Sequence, residues 1–233
     1  MIAHITYTDA NMTISAGKAK DSALKFGAET SRICSVNDID PYFKLINYEV
    51  LNAQRGAGYW LWKPYIILKE LYRMKEGDLL VYTDAGVEVV NDLKIITDKN
   101  VDIFLFGNNY EHEHWCKGKV MDEVFKCSGN QVQASAMFFK VGKASRDFVK
   151  RWLLFCEMPG LIDDSESDGN HLEFQEHRHD QAIVTALAYK YGIDLHWWPA
   201  MYLDGAFHYD KGSYTDSYPI IFHHHRKRNH EWK

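Results

Sequence analysis

Four constellations in this chain carry residue types that can do chemistry. The first is Asp78-Leu-Leu-Val-Tyr-Thr-Asp84-Ala85-Gly86, an apolar run of strand length that ends in an acid and a glycine. A buried strand delivers such a carboxylate to the open edge of a sheet, within reach of a divalent cation or a ribose hydroxyl. Gly86 would let a ligand approach the backbone closely. The plain reading of the same residues is a strand-end Asp capping a turn. The second constellation is Phe222-His223-His224-His225-Arg226-Lys227-Arg228. Imidazoles ligate metals, and neighbouring Arg and Lys clamp phosphate or stabilise a departing diphosphate. A solvated basic tail is the alternative, but apolar Pro219–Phe222 leads into the cluster as a strand would. Alternation then puts His223 and His225 on one face and His224 on the other. The expected metal set is Asp84 with the His223/His225 face. A clamp of cations without metal remains the other reading.

The third constellation, His179-Asp180-Gln181, opens an apolar helix. Asp180 can act as a base, hydrogen-bond a substrate hydroxyl, or simply cap the helix. The fourth is Arg55-Gly-Ala-Gly-Tyr-Trp60 followed by Trp62-Lys63-Pro64. Two glycines do not make the G-x-G-x-x-G dinucleotide fingerprint. Lys63 at a helix N-terminus is nonetheless placed for a phosphate. Two further clusters read as solvated surface: Glu111-His-Glu-His114 lacks the HExxH spacing, and Asp163–Asp168 lacks the glycine and terminal Glu of a calcium loop.

Strands alternating with helices must position these groups. Strands are expected at Ile2–Thr8, Ser31–Val36, Asp78–Asp84, Val87–Val90, Ile103–Phe106, Ala134–Val141 and Asp194–Trp198. Helices are expected at Ser15–Gly27, Asp40–Leu51 with Asp40 as N-cap, Pro64–Lys75, Ala144–Phe155 and His179–Gly192. Residues 108–130 and 159–176 read as loop-rich excursions. The pattern predicts an α/β fold in one domain, 1–233, with a mostly parallel central sheet flanked by helices and working residues at strand ends.

Composition narrows the function classes. The 233 residues include 27 basic and 32 acidic side chains, a net charge of −5, which argues against a general nucleic-acid binder. The 7 Trp, 14 Tyr and 12 Phe can fill a core and can also stack sugar faces or flat rings. No apolar run is long enough to span a bilayer and no secretory signal is visible, so the expected location is cytoplasmic. The four widely spaced cysteines read as free thiols.

Taken in order, these pieces resemble the GT-A nucleotide-sugar glycosyltransferases, particularly glycogenin-like family 8 enzymes and related small polysaccharide-synthesis transferases. The opening strand running into Thr8-Asp9 looks like the family's nucleotide-contacting first strand. Lys63 and Asp84-Ala85-Gly86 resemble its basic residue and DxD strand, with Gly86 in place of the second Asp. Gln133-Ala-Ser135-Ala-Met-Phe-Phe139 resembles the strand that lines the donor sugar, and Asp180-Gln181 the "DQ" helix start. His223–Arg228 resembles the C-terminal residues that meet metal and diphosphate, here Arg226 and Arg228 on the phosphate side. The resemblance implies Mn²⁺ or Mg²⁺, a nucleotide-sugar donor with UDP-sugars foremost, and a glycan or lipid-linked acceptor that brings the protein to a membrane surface. Asp180 is the expected catalytic residue.

Two other functions compete. A sugar-phosphate nucleotidyltransferase usually needs a Gly-rich basic loop after the first strand, and Asp9-Ala-Asn-Met-Thr13 has no Gly, Arg or Lys. A non-catalytic carbohydrate-binding module would need only surface aromatics.

Overall fold

Side-chain alternation along four central strands divides the interior in two. The computed structural model of the chain describes residues 1–202, 207–208, 214–215 and 218–232. Strands β1 (Ile2–Tyr7), β2 (Thr30–Cys34), β3 (Leu79–Thr83), β4 (Val87–Val89), β5 (Ile103–Glu111), β6 (Asn130–Lys140), β7 (Leu195–Trp197), β8 (Ala200–Tyr202), β9 (Phe207–His208) and β10 (Phe222–His224) form two sheets. The central sheet has the order β2-β1-β3-β6-β5-β7, and the smaller one the order β4-β10-β8-β9. In the central sheet only β6 runs against its neighbours, so the sheet is mostly parallel, as expected.

Tyr82, Met137 and Phe139 point to one face of the sheet, Val81, Ala136 and Phe138 to the other. The first face is covered by helices Trp62–Arg73, Lys143–Glu157 and His179–Lys190. The second is covered by helix Thr13–Lys25 and the smaller sheet, through Ala23, Val87, Ala200 and Phe222, with Trp198 from the link between β7 and β8. Apolar residues run almost all round helix His179–Lys190, where Ala182, Ala186 and Ala188 are fully buried and the helix packs against β6 on one side and helix Lys143–Glu157 on another.

Local signals hold at several ends. Asp40 accepts a bond from Tyr42 N–H at 2.8 Å and Pro41 starts the helix. That helix stops at Ile46 and resumes at Tyr48, rather than running unbroken to Leu51. The helix expected from Pro64 begins at Trp62, which puts Lys63 inside its first turn. The strand expected over Pro219–Phe222 is shifted to Phe222–His224. The four cysteines are free. Among the described residues no helix is long and apolar enough to cross a membrane.

Candidate active site

A cleft of about 680 Å³ opens beyond the ends of β1 and β3, lined by Asp9, Lys63, Asp84, Ala85, Gly86, Ser135, Asp180, Gln181, Arg226 and Arg228 among others. All ten were expected at the site. Register explains part of this convergence. Thr83 pairs with Ala136, so the next backbone link joins Asp84 N–H to the Ser135 carbonyl at 2.9 Å, placing both residues on one rim. Gln181 reaches the same strand, donating from Nε2 to Gln131 Oε1 at 2.7 Å.

The floor is a buried charge triad. Lys63, 2% exposed, lies 3.2 Å from Asp84 Oδ1 and 3.3 Å from Asp180 Oδ2, and donates to the Ala134 carbonyl at 3.1 Å. Burial opposes the Lys63 charge, but Asp180 and Asp84 outweigh it and raise its pKa. Burial likewise opposes the Asp84 carboxylate, and Lys63 and the Tyr82 hydroxyl overcome it, holding Asp84 below the ordinary range. One cation cannot do this for both acids. Asp180 is raised to about 6 by burial, which Lys63 relieves only in part and which Asp84 reinforces. Asp180 is 3% exposed, and among the described residues its Oδ2 finds no aligned hydrogen-bond partner despite the nearby ammonium. It stands at the second position of its helix, while Arg178 occupies the cap position. The capping reading therefore loses its geometry.

His179, just before it, takes a left-handed φ of 52°, held by its Nδ1–H donating to the Ile162 carbonyl at 2.7 Å. Packed against His179, whose ring stacks on Tyr59 at 4.9 Å, residues Gly56, Ala57, Gly58, Tyr59 and Trp60 all have positive φ, between 49° and 102°. This is one turn of left-handed helix, in which each non-glycine residue costs about 1–2 kcal/mol. Tyr7 and Trp62 stack at 3.8 Å and 13°, and their rings form an aromatic wall. Arg178 lies 4.3 Å over Trp115 and pairs with Glu176 at 3.0 Å. Neither the left-handed turn nor Arg178 was expected from sequence; only Gly56 and Gly58 hinted at the turn.

The C-terminal cluster needs correction. Alternation separates His224 from its neighbours as expected, but the face is opposite: His224 lines the cleft, and His223 and His225 do not. β10 runs antiparallel to β4, which pairs His223 with Glu88, and His225 Nε2 then lies 3.5 Å from Glu88 Oε1. Glu88 consequently does not replace the missing second Asp. Thr8 also lies off the cleft, its hydroxyl donating to the Asp9 carbonyl at 2.8 Å. Gly86 has a different reason from the one expected. A Cβ there would sit 2.7 Å from Arg226 Cα, and the Gly86 carbonyl accepts from His225 and Arg226 N–H at 2.9 and 3.2 Å. What approaches Gly86 is the chain's own backbone.

Metal ligation by the cleft fits in part. Asp84 is held ionised, and burial, then Arg226, lowers His224 to about 3, so its ring is neutral and able to ligate. Arg226 Nε already donates to His224 Nε2 at 3.0 Å, so the guanidinium and a metal compete for one lone pair. Two protein donors suit a hard ion that completes its shell with phosphate and water.

No family model matches the chain, and no curated protein matches it. Solved structures do. Mouse xyloside xylosyltransferase 1 in its apo form is similar over 96% of this chain and 96% of its own, at 10% identity and a TM-score of 0.51. The galactosyltransferase LgtC, in complex with donor and acceptor sugar analogues, is similar over 96% of this chain and 87% of its own, at 15% identity and a TM-score of 0.55. The bifunctional glycosyltransferase WbbM, apo, is similar over 86% of this chain and 40% of its own, at 14% identity and a TM-score of 0.51. The chain has the GT-A fold of these glycosyltransferases.

Proposed function

We propose that the protein is a glycosyltransferase that moves a sugar from a nucleotide-diphosphate donor, a UDP-sugar first, to a glycan or lipid-linked acceptor. The observation that carries this reading is Asp180: a buried carboxylate on the floor of a cation-rimmed cleft, raised to about 6, and not used as a helix cap. In the reaction the acceptor oxygen bonds to the anomeric carbon while the bond from that carbon to the diphosphate oxygen breaks. The departing diphosphate keeps the electron pair, and Arg226 and Arg228 on the rim offset its charge. Asp180 accepts the proton of the attacking hydroxyl or stabilises positive charge at the anomeric carbon. Lys63 holds Asp84 and Asp180 in place, and the Tyr7–Trp62 pair offers a flat surface for a base or sugar face. A Mn²⁺ or Mg²⁺ ion held by Asp84 and His224 would supply further charge neutralisation for the diphosphate.

The test is a thermal-shift screen of UDP-, GDP-, CMP- and dTDP-sugars with and without Mn²⁺, followed by a hydrolysis or transfer assay on the best stabiliser. Stabilisation by a nucleotide sugar together with sugar release supports the reading. Stabilisation by nucleoside triphosphate and sugar phosphate instead would point to a nucleotidyltransferase.

A further inference from the structure

Sequence spacing sets Glu111-His-Glu-His114 aside, because no two of its imidazoles sit one helical turn apart. The fold supplies partners from elsewhere. β5 leaves the central sheet and turns through His112–His114, with His112 buried and His114 facing outward at 22% exposure. The acidic loop beyond residue 159 folds over this turn, and Gln175 N–H donates to the His114 carbonyl at 2.8 Å. That crossing brings His171 and Glu173 alongside. The His114 and His171 rings lie 5.1 Å apart, and one donor atom from each of His114, His171 and Glu173 falls within 4.8 Å of the other two.

The surroundings of His114 point to a cation. Its Nδ1 faces Glu111 Oε2 at 3.5 Å, and its Nε2 faces Glu173 Oε2 at 3.0 Å. A neutral imidazole can donate to only one of these carboxylates. A cation held between Nε2 and the Glu173 carboxylate would satisfy both as ligands, with Nδ1 left facing Glu111. A carboxylate on one ring nitrogen also orients a metal-ligating histidine and raises its basicity. Two imidazoles and one carboxylate suit Zn²⁺, with water in the fourth position.

We propose that His114, His171 and Glu173 bind Zn²⁺, with Glu111 orienting His114, and that the ion staples the acidic loop to the end of β5. The staple lies near the cleft. Arg178 N–H donates to the Trp115 carbonyl at 3.1 Å, its guanidinium lies over the Trp115 ring, and Arg178 through Gln181 line the cleft wall. The site is independent of the transfer reaction proposed above.

The test is calorimetric titration of the purified full chain with Zn²⁺, after chelator treatment and dialysis. The proposal expects one high-affinity ion per chain. His171→Ala and Glu173→Gln should each weaken it by 10-fold or more, and Glu111→Gln by about 10–100-fold. All three side chains lie at the surface, so the variants should fold, and a circular dichroism melt checks this. Asp84→Ala should leave the titration unchanged, which separates this site from the cleft. Zn²⁺ should slow proteolysis within residues 159–176 in the wild-type chain but not in His171→Ala. The proposal is overturned if wild type takes up no stoichiometric Zn²⁺, or if a His171→Ala/Glu173→Gln chain binds it as tightly. Cleavage equally fast with and without the ion would overturn the staple.

Discussion

Asp180→Asn separates chemistry from structure, because the two roles predict opposite changes. Asp180 has a folded pKa of about 6 against an ordinary value of 3.8. Its protonated form is therefore the one that folding favours. That stability is fully present below about pH 4 and is lost as the pH rises through 6. The difference corresponds to about 3 kcal/mol at neutral pH, an upper bound because Lys63 and the two acids titrate as a unit. Asparagine is neutral and nearly isosteric, and Lys63 keeps Asp84 and the Ala134 carbonyl as partners. The variant should consequently recover about half of this difference at pH 5, where the folded carboxyl is still protonated but the unfolded one is already ionised. At pH 8 it should recover the whole of it, melting higher by about 2–4 °C for each kcal/mol recovered.

Turnover should move the other way. A carboxylate that must be ionised to act gives a rate that rises through pH 6, while asparagine can neither accept a proton nor stabilise positive charge to the same degree. The expected loss is about 10²-fold in kcat, about 3 kcal/mol of barrier, with nucleotide affinity nearly unchanged. Melting curves at pH 5 and pH 8, read beside kcat and donor Kd, give all three quantities. A variant that is fully active would refute the catalytic role. One that is less stable at pH 8 would refute the electrostatic account of the floor.

Three other outcomes follow from the same geometry. Lys63→Met leaves Asp84 and Asp180 buried without their shared cation and should cost about 3–5 kcal/mol in urea denaturation; an equally stable variant would mean that the floor is not charged. Gly86→Ala puts a Cβ 2.7 Å from Arg226 Cα and should cost about 1–3 kcal/mol while weakening donor binding, and a neutral result would show that the crossing strand yields easily. Arg226→Ala and Arg228→Ala should each lose about 1.5–3 kcal/mol of donor affinity in calorimetry, and normal binding would remove them from the phosphate site.

Legibility in the sequence follows physical range. Leu79–Thr83 reads as a buried strand because five apolar or β-favouring residues in a row leave few alternatives, and its end delivers Asp84 as expected. Asp40-Pro41 reads as a helix start because capping is decided within four residues. His223–His225 shows where local reasoning stops. Period-two alternation is local and holds, but which face meets the cleft depends on β10 pairing antiparallel to β4, some 130 residues earlier in the chain. The same limit hides β6 running against its neighbours, the left-handed turn at 56–60, and the meeting of His114 with His171. Each is settled by contacts between distant segments, and none changes the local residue pattern.

Gly86 connects these strands of argument. Read alone, a glycine where the resembled motif carries its second Asp is a lost metal ligand. In the fold it is a steric requirement, because the backbone of Arg226 crosses directly above it and hydrogen-bonds to its carbonyl. The crossing segment brings His224, Arg226 and Arg228 to the rim. A carboxylate at position 86 would remove space from that segment and add negative charge where the proposed donor's diphosphate would bind. On the proposed reading, fixed cations on the crossing segment stand in place of one acidic ligand. Arg226 also holds the His224 lone pair that a metal would use, so the guanidinium and the ion are alternatives at one nitrogen. Donor affinity measured with Mn²⁺ and with EDTA, in wild type and in Arg226→Ala, reads that competition directly. If Arg226 is the principal counter-charge, the substitution weakens binding in EDTA far more than in Mn²⁺. Equal losses in both conditions would mean that the two do not share a site.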